Sequence, residues 1–206
     1  MAPKLIRPCI PTTAKAIPQG DAWLHEPKLD GYRFQIVKDG RQVRLYSRNG
    51  HEWTKRLAGL AEALQAIPRQ AVVLDAELCF PGSDGGPDFG GLRTAFGAGR
   101  DGELTAFAFD LLHWDRSDLT PLPLRQRRRL LERLLGHAKI PGLLLVPMFD
   151  DGVKLIEAAE RHGLEGIVSK RVASAYRSGP SRDWVKTKTA AWRTANRDRW
   201  RAFQRG

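Results

Sequence analysis

The sequence predicts an α+β fold, and three observations predict it. Short β-rich runs are joined by tight turns, amphipathic helical stretches interrupt them, and no internal repeat or low-complexity linker divides the chain. Of 206 residues 42% are hydrophobic, enough for a sizeable core, and one compact domain of strands flanked by helices is the simplest arrangement.

Residues 1–22 contain Pro3, Pro8, Pro11 and Pro18 without a sustained period, and read as an extended arm laid over a domain at 23–206. The lysine after Pro27 reads as lying on irregular backbone, because Asp30-Gly31 forces a turn before the next strand. Tyr32 to Lys38, ending at Asp39-Gly40, and Gln42 to Ser47, ending at Asn49-Gly50, form a hairpin with a further turn. Lys55 to Ile67 carries Leu57, Leu60, Ala61 and Leu64 at helical spacing and stops before Pro68. Ala71 to Phe80 and Leu104 to Trp114 are strands, and Pro81 to Gly86 is a loop. A helix follows Pro123, and a second, Val153 to His162, ends at Gly163. Gly166 to Arg171 and Asp183 to Lys188 are further strands. The segment from Ala190 to Phe203 places Trp192, Ala195, Arg199, Trp200 and Phe203 as the stripe of a basic, Trp-rich helix.

Charge narrows the partner. Lys plus Arg outnumber Asp plus Glu by 34 to 23, a net +11, which favours a polyanion. From Lys170 onward the only acids are Asp183 and Asp198. A second cluster, Arg125, Arg127, Arg128, Arg129 and Arg133, lies among leucines and reads as the solvated face of an amphipathic helix. Cys9 and Cys79 offer neither a disulfide framework nor a metal site. No apolar run approaches a membrane span and the N-terminus lacks a signal-peptide core, so a reducing cytoplasm is the default expectation.

Strand periodicity separates core from cleft. Between Val72 and Phe80 the even positions are apolar, while Asp75 and Glu77 share the other face, expected to be turned away from the core. In Asp183 to Lys188 the same rule groups Trp184, Lys186 and Lys188, with Val185 and Thr187 behind; two lysines beside an aromatic suit phosphate binding. Exposed charges commonly alternate with core residues, so neither strand alone specifies a site.

The string Lys28-Leu29-Asp30-Gly31-Tyr32-Arg33 resembles the K-x-D-G-x-R signature of the covalent nucleotidyltransferases, which comprise ATP-dependent DNA ligases, RNA ligases and mRNA capping enzymes. Five further segments resemble that superfamily's motifs in the same order: Ser47-Arg48-Asn49-Gly50, Leu74 to Leu78, Phe107 to Leu112, Glu165 to Lys170, and Asp183 to Lys188. Leu45 to Gly50, Tyr176-Arg177-Ser178-Gly179 and the Trp-rich tail look most like the ligase module of bacterial non-homologous end-joining ligases, which favours ATP over GTP.

The resemblance implies a ligase adenylation fold, ATP-grasp-like, of antiparallel sheets flanked by helices. It implies that Lys28 attacks the α-phosphate of ATP and forms lysyl-AMP. Attack needs an unprotonated amine, whereas free lysine has a pKa of about 10.4, so the cations Lys186 or Lys188 are expected to favour proton loss. By the same resemblance Glu26 sits at the adenine edge, Phe109 stacks on the base, and Arg33 and Arg48 contact ribose or phosphate. Lys186 and Lys188 grip the α-phosphate, Glu77 and Glu165 hold the ribose or a Mg²⁺ (or Mn²⁺) ion, and Asp30 serves catalysis or the turn equally well. AMP then passes to the 5′-phosphate of nicked double-stranded DNA, and a 3′-hydroxyl displaces it.

Family ligases continue beyond the Lys186-Thr187-Lys188 motif into an OB-fold domain. None is expected within these residues, so a slow first step or a partner protein that supplies the OB fold or acts in end joining is expected. A bacterial, nucleoid-associated cytoplasmic location is implied. Two other readings are an RNA ligase or capping-type transferase, marked by lysyl-GMP, and a non-catalytic or partner-dependent nick-binding module. The intact Lys28, Glu77, Glu165, Lys186 and Lys188 argue against the module.

Overall fold

A computed structural model describes residues 3–82, 88–136 and 139–195. Two sheets face each other. The first has the order β1-β10-β9-β2, built from β1 (Cys9–Thr13), β2 (Trp23–Lys28), β9 (Gly166–Arg171) and β10 (Gly179–Lys188). The second has the order β4-β3-β5-β6-β7, from β3 (Tyr32–Asp39), β4 (Gln42–Ser47), β5 (Ala71–Cys79), β6 (Thr105–Trp114) and β7 (Ser117–Asp118). β8 (Leu143–Leu145) pairs with β6. Most pairings are antiparallel as expected, but β1 runs parallel to β10 and β8 parallel to β6. The hairpin β3–β4, the long strands β5 and β6, and β9 fall where the sequence places them.

Two apolar clusters hold the sheets. Ile36, Leu45, Leu74, Leu78 and Leu111 pack on the outer side of the second sheet under α1 (Ala58–Ala63) and α3 (Leu124–Leu135), with Leu60 and Leu131 closing the layer. Val37, Val73, Phe109 and Leu112 pack on the inner side against Trp184 and Tyr176. Successive residues of β5 therefore feed opposite clusters, as a period of two requires. This corrects the expectation for Asp75 and Glu77. They do share a face, but it is the face between the sheets, where Asp75 is fully buried and Glu77 half-buried.

Further corrections follow from edge strands and packing. The N-terminal arm contains β1, concealed by its prolines; Pro11 sits beside a register shift on an outermost strand, where a missing N–H is tolerated. Lys28 is not on irregular backbone but ends β2, another outermost strand that accommodates Pro27. α2 (Phe89–Gly97), capped by Asp88 accepting from Gly91 N, has no counterpart in the sequence reading. The 55–67 helix is α1 extended at both ends by tighter turns, and α4 (Gly152–Arg161) is capped by Asp151.

The arginine run of α3 is only partly a solvated face. Arg125, Arg129 and Arg133 are exposed, but Arg127 and Arg128 are buried. Arg127 donates from Nε and Nη2 to the Asp110 carboxylate, 2.9 Å each, and Arg128 donates to the carbonyls of Phe109 and Val146. Residues 190–195 are helical, and the remainder of the expected aromatic stripe, Arg199, Trp200 and Phe203, lies outside the described residues. Among the described residues no helix is long and apolar enough to cross a membrane.

Candidate functional site

The chain leaves the first sheet at Lys28 and enters the second at Tyr32, so Leu29-Asp30-Gly31 bridges the two walls of a cleft. Gly31 lets that bridge lie against β5: a Cβ there would stand 2.3 Å from the carbonyl oxygen of Leu78. Across β2, β9 and β10, Lys28 pairs with Gly166 and Gly166 with Lys188, giving one cross-strand row. Glu165 precedes that row and reaches both lysines, at 2.5 Å to Lys28 Nζ and 3.0 Å to Lys188 Nζ. Burial pushes the Glu165 carboxyl up, but hydrogen bonds and charge from Lys28 and Lys188 outweigh it and hold the group below its usual range.

Two residues along each strand, Glu26, Val168 and Lys186 form the next row on the same face. Burial lowers the Lys186 pKa, and the neighbouring positive charges of Lys28 and Lys188 add to it. Two residues further along, Lys170 lies between Leu24 and Trp184 and pairs back to Glu26, Nζ to Oε1 at 2.6 Å. The Lys170 ammonium stands over the rings of Trp184 and Phe109, 3.9 and 4.4 Å from their centroids. Burial raises the Glu26 pKa against the pull of Lys170. Its second oxygen, Oε2, is buried without a hydrogen-bond partner.

The facing wall is β3, β5 and β6. Arg33 makes a two-point contact to Asp75, Nε to Oδ1 at 3.0 Å and Nη2 to Oδ2 at 2.7 Å. Its Nη1 donates to the Cys9 carbonyl, and the guanidinium lies 5.2 Å from the Phe109 ring centroid. Tyr176 donates its hydroxyl to Asp75 Oδ2 at 2.5 Å. Glu77 pairs with Arg33 across the strands; burial pushes its pKa up to about 7, against the opposing charges of Lys28 and Arg33. Asp30 is exposed at the bridge, its carboxyl raised by partial burial and by Glu165.

A cavity of about 620 Å³ lies between the walls. Lys28, Asp30, Arg33, Arg48, Glu77, Phe109 and Lys186 line it, so the structure gathers most of the residues expected from sequence. Glu26, Glu165 and Lys188 stand beside the lining, where the first two are held by lysines. Sequence reasoning missed the supports: Asp110 with Arg127, Arg128 on the Phe109 carbonyl, and Tyr176 on Asp75. It also missed an aromatic wall, in which Trp53 and Phe96 lie 4.7 Å apart, tilted by 33°, and Tyr32 meets Phe96 edge-on. These residues come from separate elements, so no local spacing signals them.

Among the described residues no group of three or more His, Cys, Asp or Glu side chains could hold a metal unaided. That donor set still fits a magnesium ion, which keeps several waters and needs only one or two carboxylates plus phosphate oxygens. Glu77 is a half-buried carboxyl whose charged form the cleft disfavours, and a cation beside it would reverse that.

A family profile described as ATP dependent DNA ligase domain matches residues 3–188. The multifunctional non-homologous end joining protein LigD of Pseudomonas aeruginosa is 40% identical over 187 residues, covering 90% of this chain and 22% of that protein. A probable DNA ligase of Nocardioides is 34% identical over 198 residues, covering 88% and 38%. This chain therefore spans well under half the length of these relatives. Among solved structures, a mycobacterial DNA ligase D complexed with ATP and MES superposes with a TM-score of 0.78 at 32% identity, covering 88% of this chain and 59% of that one. A Chlorella virus DNA ligase-adenylate, with a TM-score of 0.64 at 17% identity, shares the fold.

Proposed function

The chain belongs to the ATP-dependent DNA ligase domain family, and from that premise we propose that it is the adenylating core of a DNA ligase acting in bacterial end joining. One observation carries the reading. Lys28, the residue of the K-x-D-G-x-R string, opens into the cavity and shares Glu165 with Lys188, a second cation of the same strand row.

Lys28 is the nucleophile. Its amine loses a proton and attacks the α-phosphorus of ATP; the new P–N bond replaces the bond to pyrophosphate, which leaves. Glu165, 2.5 Å from that amine, orients it toward the nucleotide, and the proton is lost to solvent before attack. Lys186, on the same face as Lys28, offers positive charge to the phosphates, and Arg48 does so from the exposed rim. Phe109, whose backbone carbonyl accepts from Arg128, provides an aromatic surface for the base, and the unpartnered Glu26 Oε2 suits an amino-group donor such as that of adenine. Arg33, fixed by Asp75, and Glu77 face the sugar and phosphates. Mg²⁺ or Mn²⁺, held by Glu77 with the nucleotide's own oxygens, would screen phosphate charge. The P–N bond is then exchanged for a bond to the 5′-phosphate of nicked double-stranded DNA, and a 3′-hydroxyl displaces AMP. The excess of Lys and Arg favours that polyanionic substrate. Work at the nucleoid, beside an end-joining partner, accords with this role.

The test is covalent labelling. Incubation of the chain with Mg²⁺ and α-labelled ATP gives acid-labile label that is absent from Lys28→Ala. No label in the parent, together with failure to seal a pre-adenylated nick, overturns the reading in favour of a nick-binding module. Label from GTP in preference to ATP favours a capping-type transferase.

A further inference from the structure

Trp192 sits in the described helical turn that follows β10, four residues beyond Lys188. The Lys188 ammonium stands over its half-buried indole, 3.2 Å from the ring centroid. The helix that carries it is pinned at three points. Glu160 of α4 accepts from Ala190 N and Ala191 N at 3.0 and 2.8 Å, and Thr189 Oγ1 accepts from Trp192 N at 3.3 Å. Thr189 in turn donates its backbone N–H to the carbonyl of Glu165 at 3.0 Å. Both the ring and the carboxylate that Lys188 bridges are therefore held by one short stretch of backbone.

We propose that Trp192 is a positioning residue for the adenylation step, its indole face fixing the Lys188 ammonium where it shares Glu165 with Lys28. A lysine side chain is long and flexible, and a single carboxylate at 3.0 Å leaves it several rotamers. An aromatic face on the other side removes most of them, because a partly desolvated ammonium is attracted to the ring as well as to the carboxylate. Fixing Lys188 fixes one of the two cations that compete for Glu165, and so the distance from Glu165 to the Lys28 amine.

This inference rests on the adenylation reading, and two measurements separate their failures. In the full chain with dimethylated, carbon-13-labelled lysines, the Lys188 signal, assigned with Lys188→Met, is expected to be shifted upfield by the indole ring current. The shift should vanish in Trp192→Leu, and its absence from the parent overturns the contact whatever the enzyme does. In labelling with α-labelled ATP and Mg²⁺, Trp192→Leu is expected to lower the single-turnover rate about tenfold with a smaller change in the ATP concentration for half-maximal rate. Trp192→Phe, which keeps an aromatic face, is expected to restore most of it. Equal rates in parent and Trp192→Leu overturn the positioning role while the adenylation reading stands. A parent that shows the ring-current shift but takes no label defeats the adenylation reading, and the role with it.

Discussion

Lys28 and Lys188 flank Gly166 in one cross-strand row, and their ammonium groups share the carboxylate of Glu165 at 2.5 and 3.0 Å. Replacing Glu165 with Gln leaves two adjacent cations without their counter-charge. Labelling by α-labelled ATP is expected to fall at least a hundredfold, read on a denaturing gel. Stability at pH 7 is expected to fall by about 2 kcal/mol, read by denaturant midpoint. The Glu165 pKa is lower folded than its ordinary 4.5, so its contribution is present above that value and is lost as pH falls through the folded value. Parent and variant stabilities should converge in acid.

Glu77 has the opposite sign. Its folded pKa of about 7 exceeds the ordinary 4.5, so the folded state binds the proton more tightly. The stabilisation is full below 4.5 and disappears as pH rises through 7. Glu77→Gln should therefore melt near the parent at pH 4 and several degrees above it at pH 8, read by thermal unfolding without nucleotide. Identical melting of the two proteins across that interval would contradict the burial-driven shift.

These cases mark what the sequence could carry. Lys28, Glu165, Lys186 and Lys188 are legible because each belongs to a string whose residue types and order match the family, and the strand rule correctly groups Lys186 with Lys188. β1 and Pro27 in β2 were not legible, since proline in an outermost strand looks like a loop until the neighbouring strand is known. Arg127 and Arg128 misread for a different reason. Helical periodicity marks charged positions, but it cannot distinguish a solvated arginine from one that finds Asp110 or two strand carbonyls inside.

Arg127 and Asp110 are both fully buried and joined by two 2.9 Å hydrogen bonds. Asp110→Leu alone strands a buried guanidinium and is expected to cost about 3–5 kcal/mol by denaturant midpoint. Pairing Asp110→Leu with Arg127→Met removes both charges and should recover most of that loss. Losses that simply add in a double-mutant cycle would show that the pair does not interact.

Phe109 is nearly buried between the sheets, with Arg33 and Lys170 near its ring. Phe109→Leu keeps apolar bulk but loses the flat surface. Nucleotide affinity, measured by calorimetry with ATP, is expected to weaken about tenfold, in line with a base–aromatic stack of about 1–3 kcal/mol. Phe109→Ala should in addition destabilise the fold by about 3–5 kcal/mol through the cavity it leaves. Unchanged ATP affinity in Phe109→Leu would remove the residue from the base site.

Gly166 is the tightest point of the site, and its replacement tests whether strand register positions the chemistry. Its φ is +157°, and a Cβ there would stand 2.1 Å from the Thr187 carbonyl oxygen and 2.8 Å from the Lys188 Cα. Both are backbone atoms of the paired strand, so no side chain can swing aside to make room. Gly166→Ala must push β10 away from β9, and that displacement carries Lys188 and loosens the Glu165 bridge to Lys28. Overpacking of this kind costs about 1–3 kcal/mol, which for a chain of this size lowers the melting temperature by several degrees without unfolding it. Labelling by ATP should fall far more, about a hundredfold, because a misplacement of about 1 Å at a reacting centre has that effect. A variant that melts lower but labels at the parent's rate would show that the row around Gly166 supports the sheet and not the reaction.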